Sequence, residues 1–319
     1  MTPRLALLGT GLATRIHSKA LKAVAPGVER WYASRDAERA AAMSARYGGA
    51  GHFPSYEAAL AAPGIDAVVI ALPPTLHLDW TLKALAAGKH VIVEKPPFLT
   101  SEDFATADRH ASAAGRQVLV AENYVYKPLT RLLRQLIARG DLGQVQFIQI
   151  SALKRQVTND WRDQAPLAGG GALFEGGIHW ISLLANIGLT PIAAHAVRVG
   201  PSQGLDRSVL VTLAYAEGAA ATLSYSWDQG GPINGVRWSR IYGTAGSLRF
   251  ETNGIVAVRL GRRPRMFVPG LTDLAGYRAM WLDFLAAIAD NRAPAYGSAA
   301  RRDLRLVEAA CISLNRPHD

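Results

Sequence analysis

Leu5-Ala6-Leu7-Leu8-Gly9-Thr10-Gly11-Leu12-Ala13-Thr14 is the stretch whose reading decides the fold. Apolar residues run straight into a glycine turn, and a helix-forming segment from about Ala13 to Ala25 opens directly behind it. A glycine at the first turn position permits the tight reversal, and one at the second lets the backbone come close to a diphosphate. The diphosphate then lies against the free N–H groups of the helix N-terminus. The third position ordinarily holds Gly or Ala for close helix–strand packing, and Thr14 departs from that. A degenerate G-x-G-x-x-T carries little alone. Between a strand and a helix it predicts a dinucleotide site lined by Gly9, Thr10, Gly11 and Leu12.

Outward from this turn, strand and helix alternate. Val28–Ala33 reads as a second strand and Asp36–Tyr47 as an alanine-rich helix. Ala67–Leu72 (AVVIAL) is one continuous apolar run, as a parallel strand covered on both faces requires. Pro73-Pro74 ends it, and Leu76–Ala87 is a helix stopped by Gly88. His90–Glu94 and Gln117–Ala121 supply further strands around a helix that begins at Ser101, read as its N-cap, and ends at Ala114. Repeated βα units of this length predict an α/β fold for residues 1–123, a Rossmann domain with a doubly wound parallel sheet and right-handed crossovers.

After Asn123 the rhythm changes. Val145–Ala152, Ser208–Tyr215, Ala219–Trp227, Arg237–Gly243 and Ser247–Glu251 read as longer meander strands. Helical segments near Lys127–Arg139, Phe174–Ile187, Leu274–Asp290 and Ala299–Leu314 accompany them. Residues 124–319 are read as an α+β domain on a mostly antiparallel sheet, carrying the substrate side of the molecule.

Composition narrows the class. With 319 residues, 49% apolar and 19% charged, the chain suits two domains with sizeable cores. One cysteine, Cys311, excludes an internal disulfide framework and a thiolate-rich metal site, and no metal centre is expected. The net charge of +10 is spread along the chain, densest at Arg259, Arg262, Arg263 and Arg265, with no nucleic-acid-binding signature. It reads as a solvated basic surface that also attracts anionic cofactors. No apolar run is long enough to span a bilayer, and the N-terminus lacks the pattern of a secretory signal, so the cytoplasm is the expected compartment.

Three further stretches carry candidate chemistry. The second strand ends Tyr32-Ala33-Ser34-Arg35, with no carboxylate until Asp36, which reads as a helix cap. Ser34 and Arg35 at that tip suit the 2′-phosphate of NADP(H), favoured here over NAD(H), although Arg35 as a plain surface charge stays open. Val93-Glu94-Lys95-Pro96-Pro97 ends a parallel strand, where ligands of such sheets bind. A lysine there can stabilise a developing alkoxide, or it can be an ordinary surface turn. In Gly169-Gly170-Gly171-Ala172-Leu173-Phe174-Glu175-Gly176-Gly177-Ile178-His179 the carboxylate and the imidazole stand four apart, so a helix puts both on one face. The glycines would let backbone approach a ligand, and the histidine would serve as acid or base; a flexible loop before a core histidine is the bland alternative.

Taken in order, GTGLAT, Ala71-Leu72-Pro73-Pro74-Thr75-Leu76-His77, Ala87-Gly88-Lys89-His90-Val91-Ile92-Val93-Glu94-Lys95-Pro96, Trp161-Arg162 and GGGALFEGGIHW resemble the glucose–fructose oxidoreductase, inositol dehydrogenase and rhizopine catabolism (Gfo/Idh/MocA) family over nearly the whole chain. The resemblance implies a Rossmann domain followed by a domain with an open-faced sheet, through which a homodimer or homotetramer forms. It implies NAD(P)-dependent oxidation or reduction at a hydroxyl or carbonyl carbon of a sugar, polyol or related small molecule. Lys95 takes the place of the catalytic lysine and His179 that of the proton-transferring histidine, with Glu175 holding a neighbouring substrate hydroxyl. Pro96 often follows a cis peptide bond in the family, and Leu72, Pro73, His77 and Glu94 line the cofactor. Glu175 stands where the family commonly has Asp, which moves the carboxylate by one methylene. Some members bind the dinucleotide as non-catalytic sensors, and the Lys95/His179 pair is the feature that parts the two readings. Tyr124, Tyr126, Trp161, Trp180 and Gln229–Trp238 are expected to shape substrate choice.

Overall fold

The computed structural model describes residues 2–200, 203–230 and 235–314. By contacts the chain divides into two compact units, residues 1–121 with Tyr277–Arg301, and Glu122–Gly276 with the residues from Arg302 onward.

In the first unit β1 (Leu5–Leu8), β2 (Arg30–Ala33), β3 (Gly51–Phe53), β4 (Ala67–Ile70), β5 (His90–Val93) and β6 (Val118–Val120) build one sheet in the order β3-β2-β1-β4-β5-β6. Every neighbouring pair is parallel. β1, β4 and β5 are buried along their whole length, which is why β1 and β4 are unbroken apolar runs and β5 departs from one only at His90. The connecting helices are α1 (Leu12–Val24), α2 (Ala37–Tyr47), α3 (Tyr56–Ala61), α4 (His77–Ala86) and α5 (Ser101–Ala114). β3 and α3 are too short to give a periodic signal, and the structure adds them to the elements read from sequence. The α5 cap is Thr100 rather than Ser101: its hydroxyl accepts the Asp103 N–H at 3.1 Å while the Asp103 carboxylate accepts the Thr100 N–H at 3.1 Å. Strand order reverses between β1 and β4, so the crevice for a ligand opens at their carboxyl ends, beside Gly9 and Ala71.

The second unit opens with α6 (Pro128–Ala138) and holds β7 (Val145–Leu153), α7 (Ala165–Ala168), α8 (Ile178–Ala185), β8 (Pro191–Arg198), β9 (Ser208–Tyr215), β10 (Ala220–Ser226), β11 (Trp238–Gly243), β12 (Gly246–Glu251), β13 (Ala257–Gly261) and β14 (Arg265–Phe267). Its strands form one sheet in the order β14-β13-β12-β11-β7-β10-β9-β8. Only β7 and β10 pair in parallel; the remaining neighbours are antiparallel. β9 shows the logic: Val209, Val211, Leu213 and Tyr215 are buried while Leu210, Thr212 and Ala214 are exposed, the period of a sheet with one covered face. Tyr215 Oη donates to the carbonyl of Leu184, tying that covered face to α8.

The last two helices are α9 (Tyr277–Ala289) and α10 (Gly297–Leu314). α9 belongs with the first unit although it lies far down the chain, because its Tyr277 and Trp281 pack on α1. Among the described residues no helix is long and apolar enough to cross a membrane.

Candidate active site

The glycine turn is built for close approach. Gly9 has φ +107°, and a Cβ there would meet the Ala71 carbonyl oxygen at 2.6 Å, so β1 and β4 come together in a way only glycine allows. Thr14, the departure from the usual small third residue, is buried and its hydroxyl donates to Gly9 O at 2.9 Å, fastening helix to turn. At Gly11, the N-cap of α1, no atom lies within 4 Å of where a Cβ would stand, and no side chain caps the helix. The first turn of α1 is therefore uncapped by any side chain, with half-buried Thr10 and exposed Leu12 on either side of Gly11. These residues fit a diphosphate group.

At the tip of β2, Ser34 is buried and its Oγ accepts the Asp36 N–H at 3.2 Å, which leaves its own proton to donate. Asp36 is occupied as a cap, accepting the Arg39 N–H at 3.1 Å and pairing with the Arg39 guanidinium at 3.2 Å. Arg35 is exposed, and its guanidinium stands close enough to hydrogen-bond the Tyr56 phenol, where burial raises the pKa and Arg35 works against it.

After β4, Leu72 and Pro73 are half-buried at the crevice. His77, expected beside them, has no exposed surface. Its Nε2 lies 2.8 Å from Leu72 O and its Nδ1 2.8 Å from Pro96 O, so the ring is turned inward to buckle the two loops that flank the crevice. Burial lowers its pKa in spite of those carbonyls. The Lys95–Pro96 bond is cis, and Lys95 is half-buried at the end of β5. Burial works to raise the Glu94 pKa, but the hydrogen bond from His17 and the positive charges of His17 and Lys95 outweigh it and hold the carboxyl at about 2.

In the second unit the key histidine has a partner that no sequence pattern announced. His179 Nδ1 lies 2.7 Å from Oε1 and 3.0 Å from Oε2 of Glu122, which is 1% exposed. Its ring stacks on Tyr124 at 4.4 Å between centroids and 17° between planes. Tyr124 in turn meets Trp180 edge to face at 5.0 Å, and Lys127 Nζ stands over the Tyr124 ring at 4.3 Å. Burial lowers the Lys127 pKa to about 8 and raises that of Tyr124 to about 12, the latter with help from the Glu122 charge.

Glu175 is buried on a π-helical turn, Leu173–Gly177, that leads into α8; such turns frequently mark functional sites. Its Oε1 accepts from Arg162 Nε at 3.1 Å, and Arg162 stands over the Trp161 ring at 4.6 Å. Two glycines around it are needed for protein packing: a Cβ at Gly171 would collide with the Asp206 carboxylate, which accepts the Leu173 N–H at 2.8 Å, and one at Gly176 would collide with the Tyr225 hydroxyl. Of the expected specificity segment Gln229–Trp238, residues 231–234 lie outside the described residues; Arg237 stands over the Trp180 ring at 5.7 Å. Tyr126 is half-buried just before α6.

A parallel sheet in this order, with a glycine turn at its switch point and a mixed-sheet unit after it, defines a nicotinamide-dinucleotide-binding α/β protein. The chain belongs to the GFO/IDH/MocA oxidoreductase family: the model of the oxidoreductase family with an NAD-binding Rossmann fold matches residues 4–122, and that of the GFO/IDH/MocA C-terminal domain residues 130–249. An uncharacterized oxidoreductase of Synechocystis sp. is 31% identical over 268 residues, 76% of this chain and 70% of that protein. The dTDP-3,4-didehydro-2,6-dideoxy-alpha-D-glucose 3-reductase of Saccharopolyspora spinosa is 32% identical over 200 residues, 61% of this chain and 59% of that protein. The match thus spans about three-fifths of the length of several curated relatives. A solved 3-ketoreductase from Actinomadura kijaniata, in complex with NADP and TDP-benzene, shares the fold with a TM-score of 0.85 and 23% identity over 98% of both chains.

Proposed function

We propose that this chain is an NADP(H)-dependent dehydrogenase or reductase acting at a hydroxyl or carbonyl carbon of a sugar, polyol or related small molecule. The observation that carries the reading is His179 held against Glu122. A carboxylate only accepts hydrogen bonds, so the proton sits on Nδ1 and Nε2 is left to take the proton of a substrate hydroxyl. Glu122 then stabilises the imidazolium that forms, as the third member of a catalytic triad does, and the stacked Tyr124 ring fixes the imidazole plane. In the reverse direction Nε2 returns the proton to the oxygen of a carbonyl.

The remaining roles follow from chemistry and from the family resemblance. Lys95 hydrogen-bonds the reacting oxygen and stabilises the negative charge that develops on it. Glu175, anchored by Arg162, holds a neighbouring hydroxyl. Gly9, Thr10, Gly11 and Leu12 hold the diphosphate, and Ser34 and Arg35 receive a ribose 2′-phosphate, which favours NADP(H) over NAD(H). The dinucleotide, when bound, supplies or accepts the hydride. The dideoxyglucose substrate named for the Saccharopolyspora reductase supports a carbohydrate-like substrate.

The test is a panel of polyols, aldoses and keto-sugars incubated with NADPH, NADP, NADH or NAD and followed at the reduced-nicotinamide absorbance band. Turnover of at least one panel member, faster with the phosphorylated cofactor, is the expected result. Binding of dinucleotide without turnover of any member contradicts the assignment and leaves a sensor in its place.

A further inference from the structure

Beside Lys95 the structure holds another histidine–carboxylate pair, which the reaction above leaves without a task. His17, in the second turn of α1, is fully buried and its Nε2 lies 2.6 Å from Oε1 of Glu94. The other carboxylate oxygen, Oε2, accepts the backbone N–H of Lys95 at 2.9 Å. One carboxylate therefore bridges the helix that follows the glycine turn and the residue assigned to the substrate oxygen, although His17 and Glu94 are 77 positions apart in sequence.

Packing alone does not account for a histidine here. Its Nδ1 is buried with no hydrogen-bond partner, boxed between Tyr277 and Trp281, whose rings stand edge to face at 5.9 and 5.3 Å. An unmet polar atom in such a place costs stability, and a phenylalanine would fill the same aromatic box without it. What the imidazole adds is its donor to Glu94. The groups facing that carboxylate are His17 from α1, His77 from α4, whose pKa the Glu94 charge works to raise, and Lys95 from its own loop.

We propose that His17 is a positioning residue: through Glu94 it fixes the backbone of Lys95 relative to the glycine turn, so that the helix receiving the diphosphate and the lysine acting on substrate keep one register. The proposal rests on the reading that Lys95 acts on the substrate oxygen. A displacement of about 1 Å at a reacting group can cost on the order of 100-fold in rate, so a fixed register matters to turnover while leaving the diphosphate contacts intact.

Two variants separate the hydrogen bond from the packing. His17→Phe keeps an aromatic ring between Tyr277 and Trp281 and loses the donor; His17→Gln keeps a donor of similar reach and loses the ring. His17→Phe should lower kcat roughly 10- to 100-fold while the NADPH dissociation constant, read by fluorescence titration, stays within about threefold of the parent, as expected when only the reacting geometry changes. With the donor gone, the largest influence that holds the Glu94 carboxyl low is lost, so its pKa rises and the kcat profile gains an acid limb at higher pH than any in the parent. His17→Gln should recover most of the turnover and show no such limb. Full activity and an unchanged pH profile in His17→Phe, or equal impairment in His17→Gln, overturns the proposal. Should His17→Phe fail to fold, nitrogen-15 spectra of the parent decide: the proton shared with Glu94 must sit on Nε2 of His17, and an unprotonated Nε2 overturns the proposal. Failure of the Lys95 reading looks different, because Lys95→Ala would then turn over like the parent. An inactive Lys95→Ala beside a fully active His17→Phe removes the positioning role alone.

Discussion

Glu122 follows β6 directly and is almost wholly withdrawn from solvent, yet both its oxygens lie within hydrogen-bond distance of one imidazole nitrogen, and Oε1 also accepts the Tyr124 N–H at 3.0 Å. A charge so placed has to be compensated, and a histidine that becomes cationic during turnover is such compensation. Glu122→Gln is nearly isosteric but neutral, and its amide end can turn the tautomer of His179 the wrong way. Turnover should fall by roughly 10²–10⁴ with cofactor affinity unchanged, measured by steady-state kinetics beside an NADPH titration. An unaltered kcat would show that His179 works without its carboxylate. Lys95 and His179 can be proposed from sequence because each sits in a compact string of residues. Glu122 was not legible: nothing in sequence links an acid after a strand to a histidine 57 residues on. The inward turn of His77 was not legible either, since its ring nitrogens meet carbonyl oxygens of two loops that only the fold brings together.

At the scale of elements, the proposed preference for NADP(H) rests on the junction of β2 and α2. Asp36 is spent on capping α2, so the carboxylate that would accept from an adenosine ribose is already bound to Arg39, and Arg35 is the exposed charge that remains at the tip. Arg35→Ala should weaken NADPH binding by about 1–3 kcal/mol, the scale of a charge-assisted hydrogen bond, and leave NADH binding almost unchanged. Equal losses for both dinucleotides, or none, would remove the argument for a 2′-phosphate contact. The long strands and helices of both units could be read from periodicity, β9 to its very ends. The short ones could not: β3 and β14 offer too few residues to alternate, and β8 and β13 are edge-side strands whose alternation is broken. The glycine run before His179 reads in sequence as room for a ligand. At Gly171 and Gly176 the room is taken by Asp206 and Tyr225, residues supplied by distant segments that no local pattern can bring to mind.

At the scale of the whole molecule, the eight-stranded sheet leaves one face with Phe147, Leu210 and Trp238 exposed among polar neighbours. Soluble monomers seldom carry such a face uncovered, and the family resemblance points to a second copy as its cover. Light scattering at micromolar concentration should give at least twice the 34.2 kDa chain mass, and the mass of one chain would contradict this. The central claim is that Lys95 and His179 perform proton and charge chemistry on a substrate oxygen. The measurement that tests it most directly is single-turnover and steady-state kinetics of Lys95→Ala and His179→Asn on the best substrate of the panel, with NADPH affinity measured beside it. Turnover should fall by roughly 10²–10⁴ for each, with the NADPH dissociation constant within a few-fold of the parent, if both groups act mainly in the transition state. Turnover as fast as the parent in both variants would contradict it.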